Sequence, residues 1–237
     1  MGNTMKWDAR RAGAMAGWLV VGVIGVQGAA HAAVAGNLAL ASDYVWRGSS
    51  QTGGEPAVQA GVRASAAGGG YASLWASNVA FEPDAGARSE FDAVVGWSGT
   101  LRPSWDLDVS VTRYIYPSTG RVLDWTEAAA TVSWKQRAWL QLAHSADALG
   151  GGHDGTYLQL GARLPLTAGT RLEGAVGHYR LARAQGRDYT HLQLGVIHAL
   201  VPGWELRATA HATSTAARTL FPGNAGSRLE LALQGSF

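Results

Sequence analysis

Histidines and serines are the residues of this chain that could do covalent or metal chemistry. Beyond residue 32 the histidines are His144, His153, His178, His191, His198 and His211. None of them belongs to an H-E-x-x-H pair, and no G-x-S-x-G turn presents a serine nucleophile. Cys is absent, which excludes disulfides and Cys-based zinc sites. We therefore expect neither a metal site nor a cofactor.

A lipid-modifying enzyme is the catalytic alternative. Lipases and acyltransferases pair a His base with a Ser nucleophile, and His144 or His178 with Ser145 or Ser77 would be the candidates. Serines and histidines scatter through any chain of this kind, and no motif supports these pairs. We assign no catalytic residue and expect the protein not to be an enzyme.

Charge is the other source of chemistry, and here it is sparse. Charged residues make up 15% of the 237 positions, whereas soluble domains carry about 25%. Lys6, Arg10 and Arg11 against Asp8 account for the whole formal net charge of +2, so the remainder is neutral. A neutral chain is not expected to bind nucleic acid through a broad basic surface.

The first 32 residues have the pattern of a secretory signal peptide. Basic residues precede an apolar run from about Ala14 to Val26, and Ala30-His31-Ala32 provides a small-x-small cleavage site. The run is too short to span a bilayer comfortably. We divide the chain into a signal peptide, 1–32, and one mature domain, 33–237.

Period-two alternation dominates the mature part. In the last segment Leu229, Leu231, Leu233 and Phe237 share one face, and polar residues occupy the other. The same rhythm predicts about twelve strands, at 36–47, 56–67, 71–81, 89–101, 104–116, 123–135, 137–146, 155–165, 169–181, 189–200, 203–213 and 227–237. Short and long connections alternate between them, as in an up-and-down transmembrane β-barrel with both termini in the periplasm.

If the apolar face meets lipid, the polar face lines the lumen. Strand direction then places one charged set near the long connections: Asp43, Arg47, Glu90, Asp92, Glu127, Arg228 and Glu230. A second set falls near the short turns: Arg63, Asp106, Asp108, Arg163, Arg171, Glu173, Glu205 and Arg207. Rings of fixed charge set ion preference in pores, and the first set favours cations weakly. Opposite charges could instead pair across the lumen and close it.

Two further features concern the strand ends. The alternation of strand faces predicts an interfacial aromatic girdle, formed by Tyr44, Trp46, Phe91, Trp105, Trp134, Trp204 and Phe237. Asp43 and Arg47 lie four positions apart, and we expect them to pair and fix the first hairpin, with substrate binding as the alternative role. A soluble β-sandwich or lipocalin-like barrel, with its apolar face inward, is the structural alternative.

The N-terminal third carries a family resemblance. Ala41-Ser-Asp-Tyr-Val-Trp-Arg-Gly-Ser-Ser-Gln-Thr52, Pro56-Ala-Val-Gln59 and Tyr71-Ala-Ser-Leu-Trp-Ala-Ser-Asn-Val79 resemble a proteobacterial family of uncharacterised outer-membrane proteins, the TorF-type porins. Trp46 stands where that family usually has Phe. The resemblance implies a barrel of about twelve strands with channel activity, and it implies no substrate.

Together these patterns predict a channel of the cell outer membrane for passive diffusion of small solutes or ions through a narrow mixed-charge lumen. The expected partners are outer-membrane lipid, the barrel export and insertion machinery, and the diffusing solutes or ions. A closed structural or receptor-like barrel, and the lipid-modifying enzyme above, are the alternatives.

Overall fold

The structure is a computed structural model that describes residues 33–81, 86–117, 119 and 123–237. The predicted signal peptide, 1–32, lies outside the described residues. In this part of the chain twelve antiparallel strands close into one barrel, in which each strand pairs with its sequence neighbours and the first pairs with the last. The prediction of a closed twelve-stranded barrel is confirmed.

The barrel wall follows the alternation of the sequence closely. Its strands are β1 (Ala33–Ala41), β4 (Ala57–Ser65), β5 (Gly70–Asn78), β6 (Ser89–Arg102), β7 (Trp105–Ile115), β8 (Trp125–Trp134), β9 (Ala138–Ser145), β10 (Gly155–Pro165), β11 (Thr170–Arg180), β12 (Tyr189–Val201), β13 (Trp204–Thr213) and β14 (Arg228–Ser236). Two further short strands, β2 (Val45–Trp46) and β3 (Ser49–Ser50), form a separate hairpin.

Connections of two lengths define the two ends of the barrel. At the short-turn end strands are joined across 66–69, 103–104, 135–137, 166–169 and 202–203, and β1 starts and β14 finishes there. At the long-loop end they are joined across 42–56, 79–88, 116–124, 146–154, 181–188 and 214–227. In the described part of these longer connections, short helices lie at Ala148–Gly150, Ala182–Gln185 and Thr215–Leu220. No helix among the described residues is both long and apolar enough to cross a membrane.

The two faces of the wall have opposite characters. Large apolar side chains stand on the outside and are exposed, as Leu74, Leu160 and Leu229 are at 62%, 56% and 64%. Polar and charged side chains point inward and are buried, among them Arg63, Glu90 and Glu230. This arrangement is the reverse of a soluble domain, so the sandwich and lipocalin-like interpretations are wrong.

The seam between β1 and β14 is closed by the last residue. The backbone N–H of Gly36 donates to the carbonyl of Phe237 at 2.7 Å, and the N–H of Phe237 donates back at 3.0 Å. The Phe237 ring lies over Gly36, where a Cβ atom would come within 2.5 Å of ring atom Cε2. Glycine at this position therefore lets the terminal ring lie flat against the first strand.

The first strand differs from its prediction. We expected it to continue through Arg47, but β1 ends at Ala41 and the chain then turns into the barrel. The alternation through Tyr44 and Trp46 is that of the inner hairpin, the name used below for β2, β3 and the two-residue turn Arg47-Gly48 that joins them.

Candidate functional site

The inner hairpin fills the long-loop half of the barrel interior. Trp46 packs edge-on against Tyr114, Trp125 and Tyr179, which point inward from β7, β8 and β11. At the base of the hairpin, Ser50 donates its backbone N–H to the carbonyl of Asn224 at 2.8 Å. The hairpin thus contacts inward-facing residues around much of the barrel circumference.

Glycine is required at the tip of the inner hairpin. Arg47 and Gly48 both have positive φ, 47° and 83°, as a two-residue type I′ hairpin turn demands. A Cβ atom on Gly48 would lie 2.7 Å from Cβ of His191 and 2.7 Å from Cγ2 of Thr213. The tip is therefore pressed against β12 and β13 so closely that no side chain fits. The left-handed conformation costs Arg47 roughly 1–2 kcal/mol, which its contacts must offset.

The Arg47 side chain ends in a pocket of one acid and three aromatic rings. Its two terminal nitrogens donate to both oxygens of Glu127, at 2.8 and 2.7 Å. The guanidinium carbon lies 3.9 Å from the ring centre of Tyr157, 4.3 Å from that of Trp46 and 4.7 Å from that of Tyr179. We call Glu127, Tyr157, Tyr179 and Trp46 the Arg47 pocket.

Strand register explains how the pocket arises. Tyr157 on β10 pairs with Tyr179 on β11, and Tyr179 pairs with Tyr189 on β12, so the three rings form one inward-facing row. On the other side Tyr157 pairs with Ala143, whose small side chain leaves room in the lumen. The Tyr189 hydroxyl donates to the carbonyl oxygen of Arg47 at 3.1 Å. The row therefore holds both the side chain and the backbone of the hairpin tip.

The expected pairing of Asp43 with Arg47 is wrong. Asp43 accepts from the Arg228 guanidinium at 2.8 Å and from the hydroxyls of Ser50 and Thr52 at 2.5 and 2.9 Å. Arg47 lies beyond its reach because the chain has left the extended conformation that would place both on one face. Asp43 fixes the base of the inner hairpin, and Arg47 fixes its tip.

Tyr44 and Trp46 do not belong to the predicted outer aromatic girdle. The reason is again that the chain leaves the extended conformation and turns into the barrel. Tyr44 is 3% exposed and packs inside against Trp75, and Trp46 lines the Arg47 pocket. The other five predicted girdle residues lie on the outer surface of the barrel: Phe91, Trp105, Trp134, Trp204 and Phe237.

Two acids in the long-loop half have no cationic partner among the described residues. Glu90 accepts from the Tyr116 hydroxyl at 2.9 Å, and Asp92 lies two positions further along the same inward face of β6. Both carboxylates are at most 3% exposed. Burial, followed by the charges of Glu90 and Asp92, raises the pKa of Tyr44 and of Tyr116 well above the ordinary value. Both hydroxyls therefore stay protonated and able to donate.

Two histidines contribute further polar contacts in this half. His211 lies 2.9 Å from Glu230, and both side chains are 1% exposed. A second histidine, His191, lies 2.9 Å from the Tyr157 hydroxyl. The sequence-predicted set of Asp43, Arg47, Glu90, Asp92, Glu127, Arg228 and Glu230 is thus brought together inside the long-loop half.

The short-turn half holds a different charge network, whose side chains are more exposed to solvent. Glu173 accepts from Arg163 at 2.7 Å and from Arg171 at 2.8 Å, and Arg171 also binds both oxygens of Glu205. Arg207 reaches Glu173 at 3.3 Å and Glu205 at 3.4 Å. The side chains of Arg171 and Glu205 are 24% and 30% exposed, against 8% and 5% for Arg47 and Glu127. Water thus reaches the interior more readily from this end.

The remaining predicted residues of this half lie apart from that network. The Arg63 guanidinium lies 3.4 Å from the ring centre of Tyr71, whose hydroxyl donates to Asp108 at 3.0 Å. Asp106 accepts from the hydroxyl of Thr100 at 2.8 Å. These side chains also point inward, each from its own strand.

The catalytic candidates are not paired. His144 stands on the outer face and contacts the Thr156 hydroxyl at 3.0 Å, whereas neighbouring Ser145 is buried on the inner face. His178 likewise contacts Thr190 on the outer face, and Ser77 donates to the carbonyl of Asn78. Neither His contacts a serine nucleophile.

The aromatic residues of the long-loop half were not among the predicted site residues. Tyr114, Trp125, Tyr157, Tyr179 and Tyr189 all lie on inward positions near strand ends. These aromatic residues share a strand face with polar residues, as Tyr157 does with Gln159 and Arg163. That shared face was the sequence pattern that could have identified them as inward-facing.

Comparison with known structures shows the same fold in outer-membrane channels. The KdgM porin has 7% sequence identity, with 86% of this chain and 99% of that chain covered and a TM-score of 0.56. It has also been solved in complex with disordered oligogalacturonate. The NanC porin has 9% identity, 86% and 99% coverage and a TM-score of 0.53. An outer membrane channel from Pseudomonas putida F1 has 11% identity, 87% and 96% coverage and a TM-score of 0.51.

At these identities the likeness shows a shared fold. No curated protein matches the chain. A family model described as "Bacterial protein of unknown function (Gcw_chp)" matches residues 26–233, which is most of the sequence. The chain belongs to the Gcw_chp family.

Proposed function

We propose that the protein is an outer-membrane channel for passive diffusion of small solutes or ions. The observation that carries the proposal is the inverted barrel itself, with an apolar exterior and a charged interior. A closed barrel is the sheet architecture that satisfies every backbone hydrogen bond in lipid. Its interior face then remains available for water and solutes.

The outer membrane is the location that these features support. The signal-peptide pattern of 1–32 directs export, and the outward aromatic residues near the short-turn end fit a lipid–water interface. We place the short-turn end and both termini in the periplasm and the long loops outside. The N-terminal motif further leads us to assign the chain to the TorF-type porins.

The channel in this proposal is asymmetric along its axis. The short-turn half is a hydrated vestibule lined by the Glu173 and Glu205 network. The long-loop half is a constriction formed by the inner hairpin, and solutes pass between this hairpin and the wall. A constriction of this kind passes only small species.

The constriction favours cations. Glu90 and Asp92 are acids that no Arg or Lys among the described residues pairs with, whereas Arg47 and Arg228 are each paired with an acid. Oligogalacturonate, seen with the KdgM porin, is a polyanion, and an acid-rich constriction would repel such a solute. We therefore propose a different solute class for this protein.

A closed structural barrel is the second candidate, and the low solvent exposure of Arg47 and Glu127 favours it. Liposome swelling separates the two candidates. Protein purified from the outer membrane of a porin-deficient host is reconstituted, and swelling is recorded in isotonic solutes of increasing size. The channel predicts swelling that falls with solute size and exceeds that of empty liposomes. Folded protein that gives no swelling with any solute would favour the closed barrel.

A further inference from the structure

We propose that the Arg47 pocket is a recognition site for the guanidinium group of a solute, which Arg47 itself occupies when no solute is bound. The inference rests on the proposed function, because it treats the lumen as a path for solutes. It names the class of cation that the constriction selects.

The pocket is shaped for a planar, forked cation. Glu127 offers both carboxylate oxygens to two nitrogens of the same group, at 2.7 and 2.8 Å. This paired geometry matches guanidinium, whereas an ammonium group presents a single point of charge. Tyr157 and Tyr179 present ring faces to the guanidinium, and cation–π attraction is strengthened where water is excluded.

The walls of the pocket belong mainly to the barrel. Glu127, Tyr157 and Tyr179 lie on β8, β10 and β11, and only Trp46 comes from the hairpin. Removal of the Arg47 side chain therefore leaves the acid and two of the three rings in place. A free guanidinium group could then make the same contacts.

The Arg47 side chain is held separately from the hairpin backbone. The backbone is fixed by the bond from Gln51 N–H to the Tyr44 carbonyl at 2.7 Å and by that from Ala80 N–H to the Gln51 carbonyl at 2.7 Å. Asp43 holds the base through Ser50 and Thr52. Arg47 can thus be displaced from its pocket while the hairpin stays folded.

The surrounding charge favours an incoming cation. Glu90 and Asp92 lie in the same half of the lumen and are without a cationic partner in the described part of the chain. In their ionised form they raise the local concentration of cations near the pocket. Arg47 competes as a tethered group with a high effective concentration, so solute binding to the unaltered protein is weak.

Removing the Arg47 side chain leaves the pocket free, so that binding of a guanidinium compound can be measured. The full-length chain carrying Arg47→Ala is purified in detergent and titrated with methylguanidinium, and binding is followed by tryptophan fluorescence because Trp46 and Trp125 lie beside the pocket. Methylurea is the neutral planar control, and methylammonium is the control for charge without a fork. Arg47→Gln is the second variant, which keeps the bulk of the side chain should the alanine variant fail to fold.

The expected result is saturable methylguanidinium binding to the vacated variant, at least tenfold tighter than binding of methylurea or methylammonium. The additional substitution Glu127→Gln in the same variant should weaken methylguanidinium binding at least tenfold. The unaltered protein should also bind methylguanidinium at least tenfold more weakly than the Arg47→Ala variant does. Equal affinities for the three compounds, or binding that is unaffected by Glu127→Gln, would overturn the proposal.

A current measurement separates this inference from the proposed function. If the protein conducts, methylguanidinium should block the current of the Arg47→Ala variant at the concentrations at which it binds, and methylurea should not. Binding without any conductance by the unaltered protein or the variant would leave the guanidinium site standing and refute the channel. Conductance with no selective binding would refute the site and leave the channel.

Discussion

Arg47 and Glu127, which stand 80 positions apart in the chain, form a bidentate ion pair at 2.7 and 2.8 Å inside the barrel. The pair joins the tip of the inner hairpin to β8. Both side chains are nearly dry, so loss of either partner would leave the other as an uncompensated buried charge, at a cost of about 3–5 kcal/mol. The hairpin is thus part of the folded interior.

The fit of the hairpin tip predicts different outcomes for two glycines. Gly48 and Gly53 both have positive φ, but a Cβ would clash with the wall only at Gly48. We expect Gly48→Ala to lower the thermal unfolding temperature and expose the hairpin to protease. Gly53→Ala carries the same backbone penalty without the clash, so it is the matched control. Equal effects of the two substitutions would show that the tip does not pack against β12 and β13.

The unpaired acids predict the ion preference. Replacing Glu90 and Asp92 by Gln and Asn should reduce cation selectivity, since these carboxylates lack a cationic partner in the described structure. Glu173→Gln removes a negative charge that balances Arg163, Arg171 and Arg207 in the short-turn half. This substitution should therefore shift selectivity toward anions. The reversal potential under a KCl gradient measures both changes. An unaltered reversal potential in the Glu90 and Asp92 variant would contradict the assignment of the constriction.

The orientation of the faces predicts thiol reactivity. Cysteine placed at Leu229 or Leu231, which point outward, should resist a water-soluble maleimide in membranes because lipid covers it. Cysteine at Thr219, in the last long loop, should react readily and serves as the control. The native chain has no cysteine, so the background is clean. Fast labelling of Leu229→Cys in intact membranes would mean that this surface faces water.

The seam predicts a role for the last residue. Deletion of Phe237 removes both backbone hydrogen bonds to Gly36 and the ring that covers it, so we expect less folded barrel in the outer membrane. Phe237→Tyr keeps the bonds and the ring and should assemble normally. The heat-modifiable gel band of membrane fractions measures the folded amount. Equal folded amounts of the deletion variant and the native protein would exclude this role.

Alternation predicted the wall well because period two directly reports which side chains share a face. The β10 run from Tyr157 to Arg163 illustrates this, since every residue points as its parity requires. The inner hairpin escaped prediction because Tyr44 and Trp46 keep the same period after the strand has ended. An aromatic ring suits a lipid interface and a packed interior equally, so only the tertiary contacts distinguish them. Arg47-Gly48 was the overlooked signal, since glycine at a strand end favours a turn.

Pairing between distant strands was equally inaccessible from the sequence. Asp43 and Arg47 are close along the chain, and local spacing favoured their pairing. Their real partners, Arg228 and Glu127, become neighbours only when the barrel closes and the hairpin folds inward.

Single-channel conductance of the purified protein in a planar bilayer tests the central claim most directly. A heat-modifiable gel band first establishes that the barrel is folded. We predict discrete current steps in KCl, small because the inner hairpin narrows the lumen, with a reversal potential that indicates weak cation preference. Folded, inserted protein that produces no steps at any applied voltage would contradict the channel and leave a closed barrel.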